Sequence, residues 1–409
     1  MTDIAGPTRP DPFAPQRLGP VTLRNRFIKA ATFEGASPHG QVTDALVDFH
    51  RRVGKGGVGL TTVAYMAVSP EGRTDRHCIL VRPEVLSELR QLADAVHDTG
   101  AAISAQLGHA GPVANARSNK APSVAPSAFI GPLGTRSRAL GAADIARITA
   151  DYGRAARMVV DAGFDCVEIH LGHNYLLSAF LSPKLNRRRD DWGGSVERRA
   201  LFPRDVVRVV RDAVGDRAAV TAKLNMADGV PGGLWLDDSI EVARLLEADG
   251  ALDALVLTGG SSLSNPMYLF RGEAPRREFA ATLPKPIRLG FALVGNRFMR
   301  EYPFAEAFFL PYAREFRAAL SMPLVLLGGI NRLDTVARAL DEGFSFVAMA
   351  RALLRQPDLV NQMRAGQTTE SLCIHCNKCM PTIYRGTRCV LVPPNDAVRP
   401  STDETPTPL

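Results

Sequence analysis

Two histidines and a tyrosine stand close together in the segment His170-Leu-Gly-His173-Asn-Tyr175. Imidazoles at this spacing can both donate hydrogen bonds to one carbonyl oxygen, and the nearby phenol can supply a proton to a carbon of the same substrate. Histidines at this spacing also occur as hydrogen-bonded surface residues and as zinc ligands, so the surrounding sequence must distinguish these roles. The preceding apolar run 165–170, bounded by Gly163, predicts a buried strand that delivers His170 at its carboxyl end.

Apolar runs of strand length recur along the whole chain. Between them lie helix-like segments, several of which open on Asp, Ser or Asn and close on Gly. The strand-like runs are 27–31, 58–63, 102–106, 166–170, 220–224, 254–257, 324–327 and 346–349, and the helix-like segments include 83–99, 142–162, 196–214, 237–248, 305–319 and 333–342. Strict alternation with eight strands predicts an α/β protein with a parallel (β/α)8 TIM barrel, with a doubly wound sheet as the alternative.

Polar or flexible residues follow several of these predicted strands. In a (β/α)8 barrel the loops after the strands build the active site, so these residues are expected to lie close together in one site. Gly328 and Gly329 follow the seventh run, and Arg351 comes just after the eighth. Backbone N–H groups next to glycines and a guanidinium can bind a phosphate group together. The glycines could instead only permit a tight turn.

A longer stretch around the histidines resembles the old yellow enzyme family of FMN-dependent ene-reductases. The match continues through 180–187, 190–195 and 198–199, and it covers nearly the whole chain from residue 23 to the eighth strand and the cysteines beyond. The resemblance implies a ping-pong cycle in which NAD(P)H reduces FMN. It also implies that His170 and His173 hold the carbonyl oxygen of an α,β-unsaturated compound while Tyr175 protonates its α-carbon.

The resemblance also implies which residues bind FMN. Thr32 falls at the position where members of the family carry a residue that hydrogen-bonds the flavin near O4. Gln106 falls at the position of the family glutamine that hydrogen-bonds the pyrimidine edge of the flavin. Lys223 ends the fifth predicted strand, where a fixed cation stabilises the negative charge of the reduced flavin. The complete predicted cofactor set is Ala30, Ala31, Thr32, Gln106, Lys223, Gly328, Gly329, Ala350 and Arg351.

Four of the six cysteines cluster near the C-terminus. They are Cys373, Cys376, Cys379 and Cys389. This spacing in a cytosolic protein favours a metal site over disulfides, and it suits an iron–sulfur cluster, with a zinc site or free thiols as alternatives. The subgroup that includes trimethylamine dehydrogenase and bacterial 2,4-dienoyl-CoA reductase carries a Cys-Ile-Gly-Cys-Asn segment and a [4Fe–4S] centre just after the barrel. The segment here is similar, with His375 in place of that glycine and a shorter last gap.

These features predict a simple domain organisation. Residues 13–365 form an FMN-binding barrel, and residues 366–392 a cysteine-containing extension. Residues 1–12 and 393–409 are rich in Pro, Thr and Asp and predict mobile tails. The loop 261–302 is long for a barrel connection, so it is expected to form a lid or wall of the pocket, or a contact with another subunit.

The composition of the chain restricts the classes of partner that it is expected to bind. The chain has 409 residues, 45% of them hydrophobic and 22% charged, which is typical of a globular domain. The net charge of +7 is spread along the sequence, so no nucleic-acid partner is expected. No apolar run approaches the roughly 18 residues of a membrane helix, and a secretory signal is missing, so we expect no membrane partner and a cytoplasmic location.

Two other activities remain open at this stage. The first is an amine dehydrogenase, or a dienoyl reductase-like enzyme, that passes electrons through an iron–sulfur cluster to a separate partner. The second is a Schiff-base aldolase barrel that uses Lys223 as its amine. The sequence leaves open whether the protein is a homo-oligomer and whether it uses NADH or NADPH, and the expected partner is a small enone or a related compound.

Overall fold

The computed structural model is a closed barrel of parallel strands surrounded by helices. It describes residues 9–131, 135–283 and 285–393, so residues 1–8 and 394–409 of the predicted tails lie outside the described part. The strands are β1 (Gln16–Leu18), β2 (Val21–Leu23), β3 (Phe27–Lys29), β4 (Leu60–Ala67), β5 (Ala102–Gly108), β6 (Ser123–Ala125), β7 (Phe129–Ile130), β8 (Arg136–Ala139), β9 (Cys166–Leu171), β10 (Ala219–Asn225), β11 (Ala254–Thr258), β12 (Leu324–Leu327) and β13 (Phe346–Met349).

Eight of these strands close the barrel in chain order. The circuit runs β3-β4-β5-β9-β10-β11-β12-β13, and β13 pairs back with β3. Every neighbouring pair is parallel. The predicted (β/α)8 fold is therefore confirmed, and all eight predicted strands are present. Only β4 departs clearly, because it continues through an irregularity between Val63 and Met66 to Ala67.

Helices occupy the outside of the barrel and the loops at its mouth. They are α1 (Asp44–Lys55), α2 (Leu86–His97), α3 (Ala116–Asn119), α4 (Ala142–Asp161), α5 (Leu176–Leu181), α6 (Val196–Val214), α7 (Leu236–Ala248), α8 (Met267–Phe270), α9 (Arg276–Ala281), α10 (Lys285–Phe298), α11 (Leu310–Ala319), α12 (Leu333–Asp341), α13 (Arg351–Arg355) and α14 (Leu359–Arg364). The predicted helix 305–319 begins only at Leu310, because Ala307 has a left-handed backbone with φ of +52° and interrupts it. Within the described residues, no helix combines the length and apolar character needed to cross a membrane.

Side chains on β10 alternate between the outer face of the barrel, which packs against helices, and its interior. Val220, Ala222 and Leu224 belong to the large apolar cluster shared with the surrounding helices. Thr221 and Lys223 instead line a small cavity inside the barrel. Successive side chains on a strand point to opposite faces, so the alternation of apolar and polar residues fixes which set faces inward. The barrel interior is therefore partly polar.

The amino end of the barrel is closed by the antiparallel hairpin of β1 and β2. Leu18 and Leu23 are buried there against Ile28, Phe346 and other apolar residues of the barrel interior. The opposite, carboxyl end is the one that the long loops cover. The hairpin therefore leaves that end as the place for a functional site.

The predicted long loop 261–302 contains the three helices α8, α9 and α10. Met267, Phe279, Leu283 and Met299 form a small apolar cluster of their own, and Met380 of the cysteine-containing extension joins it. The segment thus has a core that is separate from the main barrel core and shared with the extension. The predicted lid role of this loop stays a prediction.

The extension is also hydrogen-bonded to the loop after β3. The Thr387 N–H donates to the Glu34 carbonyl oxygen at 2.6 Å, and the Thr387 hydroxyl donates to the Phe33 carbonyl. Gly35, with φ of +61°, lies so close that a Cβ would be 2.1 Å from the Ile383 carbonyl oxygen. A larger residue does not fit there, so the contact between the loop and the extension depends on glycine.

We predict that Thr387→Val loosens the extension from the barrel. The substitution keeps the side-chain shape but removes the hydroxyl donor, and one such bond is worth about 1 kcal/mol. Because a loss of about 1 kcal/mol makes local opening several-fold more frequent, hydrogen exchange in residues 366–393 should become several-fold faster. Thr368→Val is the matched control, because its hydroxyl donates only to the nearby Glu370 carbonyl. Equal exchange in Thr387→Val and the wild type would contradict the role of this bond.

Candidate functional site

His170, His173 and Tyr175 lie together at the carboxyl end of β9. The ring centroids of the two histidines are 5.0 Å apart, and the Tyr175 ring lies edge-on to His170 at 4.7 Å. His173 and Asn174 have φ values of +61° and +60°, so the chain turns sharply after Gly172. This turn brings the residues predicted from one short segment into a single group.

The neighbouring strands hold His173 in place. Its N–H donates to the Asn225 side-chain oxygen at 3.0 Å, and its Nε2 lies 3.1 Å from the Thr258 hydroxyl. Asn225 and Thr258 are the last residues of β10 and β11. The buried Nδ1 of His170 has no hydrogen-bond partner in the described structure. Buried polar nitrogens normally have one, so His170 is suited to bind a ligand atom.

Both imidazoles are held in the neutral form. Burial lowers the pKa of His170 well below its usual value, with further lowering from His173 and Lys223. Burial also lowers the pKa of His173 to about 3, again with a smaller contribution from Lys223. A neutral imidazole has one N–H donor and one acceptor nitrogen. The pair can therefore offer hydrogen bonds to a ligand oxygen without carrying charge themselves.

Tyr175 is packed against a second phenol. The Tyr65 ring lies edge-on to it at 5.3 Å, and the Tyr65 hydroxyl donates to the Gly72 carbonyl at 2.5 Å. A Cβ on Gly108 would come within 2.2 Å of the Tyr65 ring, so that strand end must be glycine for the ring to fit. The hydroxyl of Tyr65 therefore holds the loop at Gly72 in place.

Gln106 and Lys223 meet inside the barrel on a carboxylate that the sequence analysis missed. Glu168 accepts hydrogen bonds from Gln106 Nε2 and Lys223 Nζ, both at 2.7 Å. All three side chains are buried. The signal was present in the sequence, because Glu168 is a lone carboxylate in an apolar strand, two residues before His170 and therefore on the same face. This contact engages Lys223 Nζ, the nitrogen that a Schiff-base aldolase would need free to attack a carbonyl.

Ala30, Ala31 and Thr32 follow β3 beside the end of β13. The Ala30 N–H donates to the Met349 carbonyl at 2.8 Å, which places this segment next to Ala350. The Thr32 hydroxyl is buried and has no hydrogen-bond partner in the described structure. An unpartnered hydroxyl at this strand end fits a cofactor with hydrogen-bonding edges, as predicted for FMN.

Gly328 and Gly329 have φ values of +113° and +77°, a backbone that favours glycine. A Cβ would lie 2.5 Å from the Phe309 ring at Gly328 and 2.7 Å from the Phe308 ring at Gly329. The turn and the aromatic packing therefore require glycine whether or not a phosphate binds. The predicted phosphate site at these residues stays a prediction.

Arg351 faces the cysteines. Its Nη1 donates to the Arg271 carbonyl at 2.9 Å and to the side-chain oxygen of Asn377. The side chain lines a cavity together with Cys373, Cys376, Cys379 and Cys389. The predicted role of Arg351 in phosphate binding is untested, and in this structure its guanidinium is already engaged by the extension.

The four clustered cysteines are free thiols that share this one cavity. Burial raises the pKa of Cys379 to about 12 and also raises the pKa of Cys373, while the Arg351 charge acts in the opposite direction. Among the described residues, no group of three His, Cys, Asp or Glu side chains is placed to hold a metal ion. The predicted cluster is therefore not demonstrated by the geometry.

His375 stands where the related cysteine segments carry glycine. Its φ is +59°, a conformation that glycine adopts most easily. The ring stacks on Phe304 with a centroid separation of 3.4 Å and an interplanar angle of 6°. This stacking contributes apolar contact that offsets the strain of a non-glycine residue at a left-handed position.

Residues 11–257 match the sequence model of the NADH:flavin oxidoreductase / NADH oxidase family. The match and the closed barrel define the class, a TIM-barrel flavin oxidoreductase. The chain belongs to the NADH:flavin oxidoreductase family, the old yellow enzyme family of the sequence analysis. It is thus an FMN-dependent NAD(P)H oxidoreductase.

Two curated relatives illustrate the range of the family. A 4,4'-dithiodibutanoate disulfide reductase of Rhodococcus erythropolis is 58% identical over 94% of this chain and 96% of the relative. A metal reductase of Desulforamulus reducens is 32% identical over 91% of this chain, and the match spans about half, 52%, of that protein.

Solved structures agree on the fold. A 2-naphthoyl-CoA reductase in complex with 2-naphthoyl-CoA matches with a TM-score of 0.80 at 23% identity, over 93% of this chain and 57% of that one. An old yellow enzyme homologue from Zymomonas mobilis matches with a TM-score of 0.71 at 23% identity, over 90% of this chain and 96% of that one. At these identities the structural likeness concerns the fold alone.

The depressed pKa of His173 predicts a specific dependence of stability on pH. In the unfolded chain the imidazole takes up a proton below about pH 6.5, whereas in the folded protein it stays neutral. Its contribution to the free energy of unfolding is therefore intact above that pH and is lost as the pH falls toward about 3. His173→Asn should make the acid-side decline shallower by about 1.4 kcal/mol per pH unit.

Urea unfolding at a series of pH values measures this slope. His97→Asn is the control with the opposite sign, because a hydrogen bond to Asp165 raises the pKa of His97. The stability that His97 contributes is present below the unfolded pKa and is lost as the pH rises. An unchanged acid-side slope in His173→Asn would show that this histidine is protonated in the folded protein.

Proposed function

We propose that this oxidoreductase reduces the activated C=C bond of small α,β-unsaturated carbonyl compounds with electrons from NAD(P)H. The observation that carries the proposal is the group of His170, His173 and Tyr175, with ring centroids 4.7 and 5.0 Å apart at the open end of the barrel. Two neutral donors and one phenol are what an enone requires: a hold on its oxygen and a proton for its α-carbon.

The residues at the strand ends are suited to hold FMN. Thr32 offers an unpartnered hydroxyl. Gln106 and Lys223, two residues before the ends of β5 and β10, offer an amide and a cation that are both hydrogen-bonded to Glu168. When bound, FMN supplies the hydride that it has taken from NAD(P)H. The predicted phosphate contacts at Gly328, Gly329, Ala350 and Arg351 complete the proposed cofactor site.

The chain's own groups then divide the remaining work. His170 and His173 donate hydrogen bonds to the carbonyl oxygen and stabilise the negative charge that develops on it. Burial keeps both rings neutral, and each neutral ring has one N–H that can donate. Tyr175 supplies the proton to the α-carbon, so that hydride and proton together saturate the double bond.

We predict that Tyr175→Phe slows reoxidation of the reduced flavin by an enone about a hundredfold or more, since a positioned proton donor contributes roughly that much. Reduction by NAD(P)H should be nearly unchanged, because that half-reaction does not use the proton. Stopped-flow absorbance separates the two half-reactions. Tyr65→Phe is the matched control, since its hydroxyl is bonded to the Gly72 carbonyl. Equal slowing of both half-reactions in Tyr175→Phe would contradict the proposed role.

A second candidate acceptor is a small organic disulfide. The specific observation in its favour is the 58% identity to the 4,4'-dithiodibutanoate disulfide reductase, over almost the full length of both chains. The same residues suit this chemistry. Hydride attack on one sulfur breaks the S–S bond, the departing thiolate is stabilised by the hydrogen bonds of His170 and His173, and one proton from Tyr175 yields two thiols.

Pre-reduced enzyme separates the candidates when it is mixed anaerobically with cyclohexenone or with 4,4'-dithiodibutanoate. Faster flavin reoxidation by the enone supports the first proposal, and faster reoxidation by the disulfide supports the second. Bleaching of the oxidised flavin by an amine in the absence of NAD(P)H would instead support an amine dehydrogenase. Slow reoxidation by both acceptors would overturn both proposals.

We also propose that the four clustered cysteines bind an iron–sulfur cluster. The support is that all four line one cavity, together with the cation of Arg351, which would offset the negative charge of thiolate ligands. Zinc and free thiols remain the alternatives. The extension that carries these cysteines is also hydrogen-bonded to the loop after β3 through Thr387.

We predict that anaerobically purified protein contains iron and acid-labile sulfide in amounts near one cluster per chain, and that both fall sharply in Cys376→Ser. Metal and sulfide analysis measures this. Cys166→Ser is the matched control, because Cys166 is buried in the barrel and outside the cluster. Stoichiometric zinc without sulfide would identify a structural zinc site, and absence of any metal would contradict the proposal.

A further inference from the structure

Arg271 carries a guanidinium enclosed by aromatic rings. Its central carbon lies 5.2 Å from the ring centroid of Tyr268, 5.9 Å from Tyr302, 4.9 Å from Phe308 and 5.7 Å from Phe309. A cation near aromatic faces is attracted by the ring quadrupoles, most strongly where water is excluded. Four rings around one side chain hold its position without neutralising its charge.

The guanidinium has no counter-ion in the described part of the chain. No carboxylate forms an ion pair with it, and none of its N–H groups donates a hydrogen bond to the described residues. Its Nε is buried and unpartnered. Other arginines of this protein, such as Arg204 and Arg211, pair with carboxylates at 2.7 and 2.5 Å. A partly buried cation without a partner is unfavourable unless a ligand supplies the missing charge.

The position of Arg271 is at the mouth of the barrel. Phe308 and Phe309, which contact the guanidinium, are the same rings that pack against Gly329 and Gly328 after β12. The Arg271 carbonyl accepts the hydrogen bond from Arg351, the first residue of α13 after β13. The charge therefore lies near the two strand ends at which a phosphate was predicted.

The other end of the same loop reaches the proposed catalytic group. The Ser262 N–H donates to the His173 carbonyl at 3.1 Å, and the loop continues through α8 to Arg271. Leu269 packs against the apolar interior of the barrel and close to Gly260 after β11. The segment from Ser262 to Arg271 thus crosses the barrel mouth from the histidines to the predicted phosphate end.

We propose that Arg271 binds an oxyanion at the mouth of the barrel, as a charge-assisted, two-pronged contact that the structure otherwise leaves unmade. This rests on the proposed function, because the anion is supplied either by the phosphate of FMN or by a carboxylate of the acceptor. Both sources present paired oxygens to the planar fork of a guanidinium. Arg351, whose guanidinium bonds to Asn377, then serves the extension as well as the cofactor.

The first experiment compares FMN with riboflavin, which lacks the phosphate. Both are titrated into flavin-depleted enzyme, and dissociation constants are read from flavin fluorescence for the wild type, Arg271→Met and Arg271→Lys. If the anion is the FMN phosphate, Arg271→Met should weaken FMN binding by about tenfold to a hundredfold and leave riboflavin binding unchanged. Arg271→Lys keeps the charge, so it should retain part of the affinity.

The second experiment uses holoenzyme and two acceptors, 4,4'-dithiodibutanoate and its uncharged dimethyl ester. If the anion is a substrate carboxylate, Arg271→Met should raise the KM for the diacid about tenfold or more, with little effect on the diester, while FMN binding stays as in the wild type. An enone with and without a carboxylate gives the same comparison. Inactivity of the wild-type enzyme toward both acceptor types would overturn the proposed function. The comparison of FMN with riboflavin would then still test whether Arg271 binds the phosphate.

Arg300→Met is the matched control for both experiments. Arg300 also lies over the Tyr302 ring, at 5.5 Å, but it is exposed. It should change neither flavin nor acceptor binding. Thermal unfolding checks that the Arg271 variants remain folded. The proposal is overturned if folded Arg271→Met binds FMN, riboflavin, the diacid and the diester as the wild type does.

Discussion

A carboxylate buried inside the barrel organises this protein. Glu168 accepts hydrogen bonds from Gln106 and Lys223, and these three residues come from the neighbouring strands β9, β5 and β10. Removing one member of a buried ion pair typically costs about 3–5 kcal/mol, because the other charge is left unpaired. The triad therefore fixes a cation in the barrel interior beneath the proposed flavin site. The charge of Lys223 also contributes to the low pKa of both His170 and His173.

A second buried carboxylate, Glu34, holds the loop after β3 in place. Glu34 accepts a hydrogen bond from Lys29 at 3.1 Å and lies 3.3 Å from His50. Its backbone carbonyl also accepts the bond from Thr387 of the extension. Glu34 follows Thr32 by two residues, so this group holds the proposed flavin loop between the barrel and the cysteine segment. The loop cannot shift without disturbing a buried ion pair, and the cysteine segment is mechanically linked to it.

The proposed site is polar where the reacting bond of an acceptor would bind. In the proposed reaction, His170 and His173 bind an electronegative atom and Tyr175 supplies a proton, and that chemistry serves a carbonyl or a disulfide equally. Selection between acceptors then depends on groups farther from the reacting bond. Arg271, on a loop with its own small core, is the charge proposed to recognise an anionic substrate or cofactor group.

Much of the architecture followed from the sequence, because the period of apolar residues is a local property of each segment. The eight strands and the grouping of His170, His173 and Tyr175 within one short segment needed no long-range information. Distant contacts decided the rest. The barrel pattern predicted that Arg351 joins Gly328 and Gly329 in binding a phosphate, but Asn377 and the Arg271 carbonyl direct its guanidinium to the cysteines. Glu168 finds Lys223 only because closing the barrel brings β9 and β10 together, and hydrophobic periodicity does not encode pairings between charges that are far apart in the chain.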